Sequence, residues 1–353
     1  MKRTIKLFIL CVIAVIWGCS DENEYIPFYQ DAIYMMDADG SNKQKVLDVD
    51  SCTNVQFIPN SNKILFMTSR NDGSYLKQLH TINTDGTDSL QISGEFLLKD
   101  EQPAVSNNGS KIVFWALHDS RDYSYDLYST DPLGTEIVNL TDTESVSEKD
   151  ASFIEYQGQE FLLYVTYFSE NNINYSTISL MDTGLFSVDT LYVEEIDGEW
   201  GFKHPVYYPS EDLLFVAFGQ YNNYVKSNLM KYNGLYNSES TKIYEGISSL
   251  YMMINNQSDK LIFKTPDLMV YDINLNQFYA LPYGFTYDTF DENLIYCTNS
   301  WIDNGYIYSI NLDGTNNTLL AEDGYYPRYS QDGEQIVYIG RHLRNQERNL
   351  ITN

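Results

Sequence analysis

Short apolar runs alternate with polar turns along almost the whole chain. A typical run is about five residues long and rich in Tyr, Ile and Val, and it ends in a turn such as Asn311-Leu312-Asp313-Gly314. Because Asp and Asn favour tight turns and Gly accepts a positive φ, this pattern predicts β-hairpins. No segment repeats its apolar residues with a helical period, and we therefore expect few helices.

The runs belong to a repeat that has two halves. The first half is a hairpin with the Asp-Gly turn, and it begins near Ala32, Lys77, Tyr125, Ser176, Ser227, Asp267 and Gly305. The second half is a hairpin that starts with Pro-x-aromatic-Ser or a degenerate relative, near Cys52, Pro103, Ala151, Pro205, Leu250, Thr286 and Pro327. Units spaced by roughly 38 to 51 residues with four strands each are typical of β-propeller blades.

The order of the halves predicts how the ring closes. The chain begins with a first half at residues 32–48 and ends with a second half at 327–339. Neither half alone can pair the backbone N–H and C=O groups at its strand edge. We therefore expect the two halves to pair in one composite blade built from both chain ends. The prediction is an all-β, seven-bladed propeller with four antiparallel strands per blade. A six-bladed ring is the alternative if one weak unit is misread.

Two motifs carry a resemblance to a known family. Pro-x-aromatic-Ser-x-Asp-Gly at 327–333 and Tyr-x-x-Asn-x-Asp-Gly-Thr at 308–315 resemble the WD40-like repeats of TolB-type propellers, over about residues 32–339. The resemblance implies that the Pro hairpin supplies the two inner strands of a blade. The repeat is also similar to propeller domains that accompany some serine peptidases, but the chain contains no Gly-x-Ser-x-Gly nucleophile motif and no phosphate-binding Gly loop.

The N-terminus is typical of an export signal. Lys2 and Arg3 precede an apolar stretch at 7–16 that is short for a membrane span, and Ile16-Trp17-Gly18-Cys19 resembles a bacterial lipobox. The resemblance implies a signal peptide at 1–18, lipidation of Cys19, a flexible tether at 19–31, the propeller at 32–340 and a short tail at 341–353. An ordinary signal with a chance cysteine is the alternative.

The acidic residues after the cysteine bear on location. Residues 20–24 resemble the acidic stretch of surface-exposed lipoproteins of the Bacteroidetes. This resemblance implies a lipid anchor at the outer membrane or cell surface, with the periplasmic face as the alternative. The formal net charge of −27 argues against nucleic-acid binding and against membrane contact other than through the lipid. We expect a monomer, with Cys52 and Cys297 as two separate buried cysteines.

Partner binding in such propellers takes place on the face formed by two sets of loops. These loops join an outer strand to the next inner strand and the second strand to the third, and here they are long and polar. The candidate binding-face residues in them are Arg70, Asp100, His118, Arg121, Asp150, Trp200, His204, Tyr221, Trp301, Tyr325, Tyr326 and His342. The aromatic members could stack on sugar rings.

Histidine is the residue most relevant to catalysis. His118, His204 and His342 fall in loops of one face, and seven-bladed propellers that resemble this architecture include metal-dependent lyases of pectin fragments. The chain lacks paired-histidine spacing, so no metal and no cofactor is predicted, and His80 is expected to pack within a strand. The sequence favours a non-enzymatic binding or scaffold module for a protein or glycan. A metal-dependent oligosaccharide lyase is the alternative.

Overall fold

The regular structure of the chain is entirely β-strand in the part that is described. The computed structural model describes residues 29–69, 76–96, 98, 102–117, 124–196, 201–219, 227–247, 252–255, 259–298 and 305–343. Within these ranges we find no helix, and therefore no helical segment capable of crossing a membrane. The low helix content predicted from the apolar periodicity is confirmed.

The strands follow one another in the order that the repeat predicts. The first six are β1 (Tyr29–Asp37), β2 (Gln44–Val49), β3 (Cys52–Phe57), β4 (Lys63–Ser69), β5 (Lys77–Asn83) and β6 (Leu90–Gln91). The next eight are β7 (Ala104–Val105), β8 (Ile112–Leu117), β9 (Tyr125–Thr130), β10 (Val138–Asn139), β11 (Ser147–Tyr156), β12 (Gln159–Glu170), β13 (Ile173–Asp182) and β14 (Val188–Ile196). Another eight are β15 (Phe202–Tyr208), β16 (Leu213–Gly219), β17 (Ser227–Tyr232), β18 (Ser240–Ile247), β19 (Met252–Asn255), β20 (Lys260–Lys264), β21 (Leu268–Asp272) and β22 (Gln277–Leu281). The last six are β23 (Thr286–Phe290), β24 (Asn293–Cys297), β25 (Ile307–Asn311), β26 (Thr318–Ala321), β27 (Gly324–Tyr329) and β28 (Gln335–Leu343).

These strands form seven antiparallel sheets of four. Six sheets contain consecutive strands, from β3–β6 to β23–β26, and the seventh has the order β2-β1-β28-β27. We number this seventh sheet blade 1 and the others blades 2 to 7 in chain order. The seven-bladed propeller with a composite closing blade is therefore confirmed, and the six-bladed alternative is wrong.

Closure of blade 1 is fixed by side chains as well as by strand pairing. Arg341 donates from Nε to Oδ1 of Asp31 at 2.9 Å and from Nη2 to the hydroxyl of Tyr325 at 3.1 Å. The other oxygen of Asp31 accepts from the backbone N–H of Cys52 in blade 2, at 3.1 Å. Burial, followed by the nearby charge of Asp31, raises the pKa of Tyr325, so this hydroxyl stays neutral.

The propeller extends further than the expected residues 32–340. Strand β1 starts at Tyr29 and β28 ends at Leu343, so each end adds three residues to the blade. Asp31, which the sequence placed in the tether, is instead buried in the closing blade. By contacts, the chain divides into the unit Gln30–His342 and a second unit, Met1–Tyr29 with Leu343–Asn353, which lies almost wholly outside the described residues.

The apolar core is divided among the boundaries between blades. Each cluster draws its buried side chains from neighbouring blades, as where Leu163 and Val165 of β12 pack with Leu214 and Val216 of β16. Cys52 and Cys297 are buried free thiols, as predicted, and they belong to the cluster around blade 1. Because every blade contributes one sheet face to each neighbour, no blade has a complete core of its own.

In the Asp-Gly turns, the aspartate side chains accept hydrogen bonds from residues of the same turn. In one turn, the backbone N–H and the hydroxyl of Thr87 both donate to Oδ1 of Asp85, at 3.0 and 2.6 Å, while Asn83 Nδ2 donates to the Thr87 hydroxyl at 2.9 Å. The turn at residues 311–315 repeats all three bonds. These carboxylates stabilise the hairpin, which supports a structural role for the motif.

Candidate functional site

A central channel runs through the propeller and is bounded mainly by the innermost strand of each blade. These strands are β27, β3, β7, β11, β15, β19 and β23, and the space between them is about 770 Å³. A volume of this size is typical of pockets that hold small ligands. The innermost strand of blade 3 has only two residues, so Trp115 of the second strand also reaches the channel wall.

Four of the inner strands are interrupted at the same place near the channel mouth. Their pairing register shifts after the second residue pair, or after the third in β11. The first residue past the shift has a left-handed backbone: Asn54 (φ 52°), Asp150 (φ 54°), His204 (φ 46°) and Tyr326 (φ 53°). Non-glycine residues rarely adopt this conformation, which costs free energy and is often concentrated at functional sites. The β-bulges of blades 4, 5 and 1 place Asp150, His204 and Tyr326 on the channel wall. Asn54 of blade 2 is instead buried and donates from Nδ2 to the sulfur of Met67.

The bulges explain the proline of the repeat motif. Pro205 follows His204 and Pro327 follows Tyr326, so both prolines lie inside the irregular stretch. Proline has no N–H to donate to a strand ladder, and a bulge is one of the few places in a sheet that accepts it. The Pro-x-aromatic-Ser signature therefore marks the channel mouth.

Asp150 and His204 meet across the boundary between blades 4 and 5. His204 Nδ1 lies 3.6 Å from Asp150 Oδ1, and the backbone N–H of His204 donates to Asp150 Oδ2 at 3.2 Å. The Asp150 side chain is 5% exposed, whereas that of His204 is 21% exposed. An imidazole oriented by a carboxylate can form a directed hydrogen bond with a bound molecule. The sequence placed both residues on one face but did not predict their pairing.

A buried arginine joins separate blades beside the channel. Arg328 of blade 1 donates from Nη1 to the carbonyl of Tyr287 in blade 7 at 2.6 Å, and from Nη2 to Oε1 of Gln102 at 2.8 Å. Gln56 of blade 2 continues the network by donating to the carbonyl of Pro103 at 3.0 Å. The sequence analysis missed Arg328, although it stands in the clearest copy of the Pro-x-aromatic-Ser motif.

Glu148 is a second residue that the sequence analysis missed. It is buried at the start of β11, next to Lys149 of the channel wall, and accepts from the hydroxyl of Thr143 at 2.8 Å. Burial raises the pKa of Glu148 to about 7, and the nearby Asp126 carboxylate also raises it, against the lowering effect of the threonine hydrogen bonds. A proton can therefore be held within one residue of the channel at neutral pH.

The structure describes only part of the predicted binding face. Asp150, His204 and Tyr326 all line the channel. Tyr325 does not, because its buried hydroxyl accepts from Arg341 in the closing blade. His342 lies on β28, but its side chain is outside the description, as are the remaining predicted residues Cys19, Arg70, Asp100, His118, Arg121, Trp200, Tyr221 and Trp301.

His80 lies within strand β5 and not at the channel. His80 is packed as predicted: its ring stacks on Phe66, its Nε2 lies 3.0 Å from the Thr68 hydroxyl, and burial lowers its pKa to about 4. Among the described residues, no group of three or more His, Cys, Asp or Glu side chains could hold a metal ion. Asp150 and His204 would supply only two of the three or four protein ligands that a bound metal ion usually has.

Comparison with known proteins bears on the fold alone. No protein-family model matches the sequence, and no curated protein matches it. Among solved structures, a TolB from Agrobacterium tumefaciens is 12% identical, with a TM-score of 0.51 over 90% of this chain and 99% of that one. The chain has the fold of a TolB-like β-propeller. The resemblance carried by the repeat motifs is confirmed at this level.

Enzymes share the TolB-like fold as well. An oligogalacturonate lyase from Vibrio parahaemolyticus is 12% identical, with a TM-score of 0.61 over 89% of this chain and 98% of that one. An acylaminoacyl peptidase from Pyrococcus horikoshii is 11% identical, with a TM-score of 0.52 over 80% of this chain but only 48% of that one. Since one fold serves binding proteins and enzymes alike, function must be argued from the channel.

Proposed function

We propose that this TolB-like propeller is a non-enzymatic binding module that presents its channel mouth to a protein or glycan partner. The observation that carries the proposal is the set of left-handed positions at Asp150, His204 and Tyr326, at equivalent places around one opening. Backbone strain repeated in these three blades places carboxylate, imidazole and phenol groups together. Such a mixture on a concave surface is typical of ligand recognition.

We also propose that the module is attached to the cell envelope through a lipid on Cys19. The lipobox-like residues support the lipid anchor. The acidic stretch that follows them supports placement at the outer membrane or cell surface. Radioactive palmitate should label the native chain and should not label Cys19→Ala. Labelling of the variant, or equal amounts of both chains in the soluble fraction, would contradict the lipid anchor.

The binding proposal can be tested with a pair of double variants. Asp150→Asn with His204→Gln should weaken capture on a glycan array, or of an in-cell crosslinked partner, by about tenfold or more, since both groups lie at the mouth. Lys242→Ala with Glu245→Ala removes an exposed ion pair on the outer strand of blade 5 and should change nothing. Equal loss in both variants, or in neither, would refute recognition at the mouth.

A lyase is the second candidate function. The Asp150–His204 pair and the fold shared with an oligogalacturonate lyase favour it. A polyuronate cleaved by elimination yields a product with a new C=C bond, which absorbs ultraviolet light. Steady accumulation of that absorbance with the native chain, and its loss in His204→Gln, would establish the enzyme and displace the binding-only proposal.

A further inference from the structure

Apolar side chains stand exposed at the tips of four consecutive hairpins. The hairpins join the third and fourth strands of blades 3 to 6, and the antiparallel strand order places them on the face opposite the channel mouth. Their exposed residues, which we call the apolar arc, are Leu133 (55% exposed), Leu185 (78%), Phe186 (55%), Tyr236 (58%) and Leu275 (60%). In the equivalent turns of blades 2 and 7, the position that matches Leu133 is an aspartate, Asp85 or Asp313.

The leucines of the apolar arc are held in place by aspartates. The backbone N–H of Leu133 donates to Asp131 at 2.9 Å, that of Leu185 to Asp182 at 3.0 Å, and that of Leu275 to Asp272 at 2.8 Å. In each turn a carboxylate within three residues fixes the backbone that carries the exposed side chain. The arc is therefore ordered before anything binds, which lowers the entropy cost of docking.

The hairpins of the apolar arc are also tied to the preceding blade. Side chains of blades 2, 3 and 4 donate to backbone carbonyls in the next hairpin, from Thr81 Oγ1 to Pro132 (3.0 Å), Lys111 Nζ to Thr183 (3.0 Å) and the Tyr192 hydroxyl to Gly234 (2.7 Å). In addition, the Tyr236 hydroxyl donates to Asp189 of blade 4 at 3.0 Å. Hydrogen bonds from the preceding blade thus hold three of the four hairpins, those of blades 3, 4 and 5, in place.

The charges beside the apolar arc indicate what it would bind. Glu136, Asp189 and Glu239 are exposed next to Leu133, Leu185 and Tyr236, and the whole chain carries a formal charge of −27. An anionic bilayer or a second copy of the chain would be repelled. We propose that the apolar arc is a docking surface for a partner protein whose contact face combines apolar pockets with Lys or Arg side chains. This site lies on the face opposite the mouth and is independent of the proposed function.

The test is to select partners and then map where they bind. The full chain, purified in detergent, is panned against a random-peptide display library, and the enriched peptides are synthesised. We expect peptides that combine Leu or aromatic residues with Lys or Arg. Their affinity should fall about tenfold or more in Leu133→Ser/Leu185→Ser/Leu275→Ser. It should stay within about twofold of native in the matched variant Leu90→Ser/Leu319→Ser, which removes exposed leucines from the edge strands of blades 2 and 7.

A crosslinking arm covers the case of a variant that folds poorly. A photoreactive phenylalanine at position 185 of the otherwise native chain should capture the peptides, whereas the same residue at position 90 should not. The proposal is overturned if no peptide family is enriched, or if the peptides bind the triple variant as tightly as the native chain. It is equally overturned by a dimer that the triple substitution dissociates, or by arc-dependent flotation with phosphatidylcholine–phosphatidylglycerol vesicles.

Discussion

Replacing Arg341 by Met should destabilise the closing blade. The substitution keeps an aliphatic stem but leaves Asp31, which is 3% exposed, without its charged partner. Removing one member of a buried ion pair costs about 3 to 5 kcal/mol, because the remaining charge stays desolvated. We expect a loss of about 3 kcal/mol, the lower end of that range, because Asp31 keeps its bond from the Cys52 N–H and Arg341 is partly exposed.

The measurement is urea unfolding of the native chain, Arg341→Met, Asp31→Asn and the double variant. With a slope of about 3 kcal/mol per M, the midpoint for Arg341→Met should fall by about 1 M. The cycle should yield a coupling free energy above about 1 kcal/mol. The exposed pair Lys242–Glu245 is the control and should yield less than about 0.5 kcal/mol. A loss below about 1 kcal/mol for Arg341→Met would show that strand pairing alone holds the ring closed.

Three further predictions concern turns, protons and thiols. Gly109→Ala should lower the free energy of unfolding by more than about 3 kcal/mol, because its Cβ would lie 1.9 Å from a carbonyl oxygen of the neighbouring blade. The control Gly158→Ala, in an open turn with a similar φ, should lower it by only about 1 kcal/mol. With a folded pKa of about 7, Glu148 should lower the free energy of unfolding of the native chain as pH rises from about 4.5 to 7. Urea unfolding of Glu148→Gln should show a smaller decline over this pH range. An equal decline in both chains would contradict the raised pKa. Without reductant, Cys52 and Cys297 should both react with a thiol reagent in urea, and neither should react in the native state. A disulfide between them would leave neither of these two thiols reactive in urea.

The blade count could be predicted because the information is local. Each hairpin carries its own turn residues, and the predicted starts at Lys77, Tyr125 and Ser227 are the first residues of β5, β9 and β17. The chain ends were harder to place, since Tyr29 and Leu343 join strands only through pairing between the two termini. Neither end has turn chemistry that would identify it within one stretch of sequence.

The candidate site was much less predictable because it depends on which blades face one another. Nothing near Arg328 in sequence indicates that it reaches Gln102, which lies 226 positions earlier. The raised pKa of Glu148 likewise depends on its burial in the fold and, to a smaller extent, on Asp126 from another blade. The sequence analysis named His204 and Asp150 separately because both follow an outer strand, but only the fold brings them together.

The composite blade has a consequence for the order of folding. Asp31 and Arg341 are 310 positions apart, so the contact that joins them cannot form until nearly the whole propeller has been synthesised. Until then, β1 lacks its partner β28, and the growing chain carries an unpaired sheet edge. Ring closure is thus a late and single event that converts a linear row of blades into a structure without free ends. A circular permutant cut between blades 1 and 2, with residues 343 and 29 joined, would contain every blade as a continuous segment and should fold faster than the native chain.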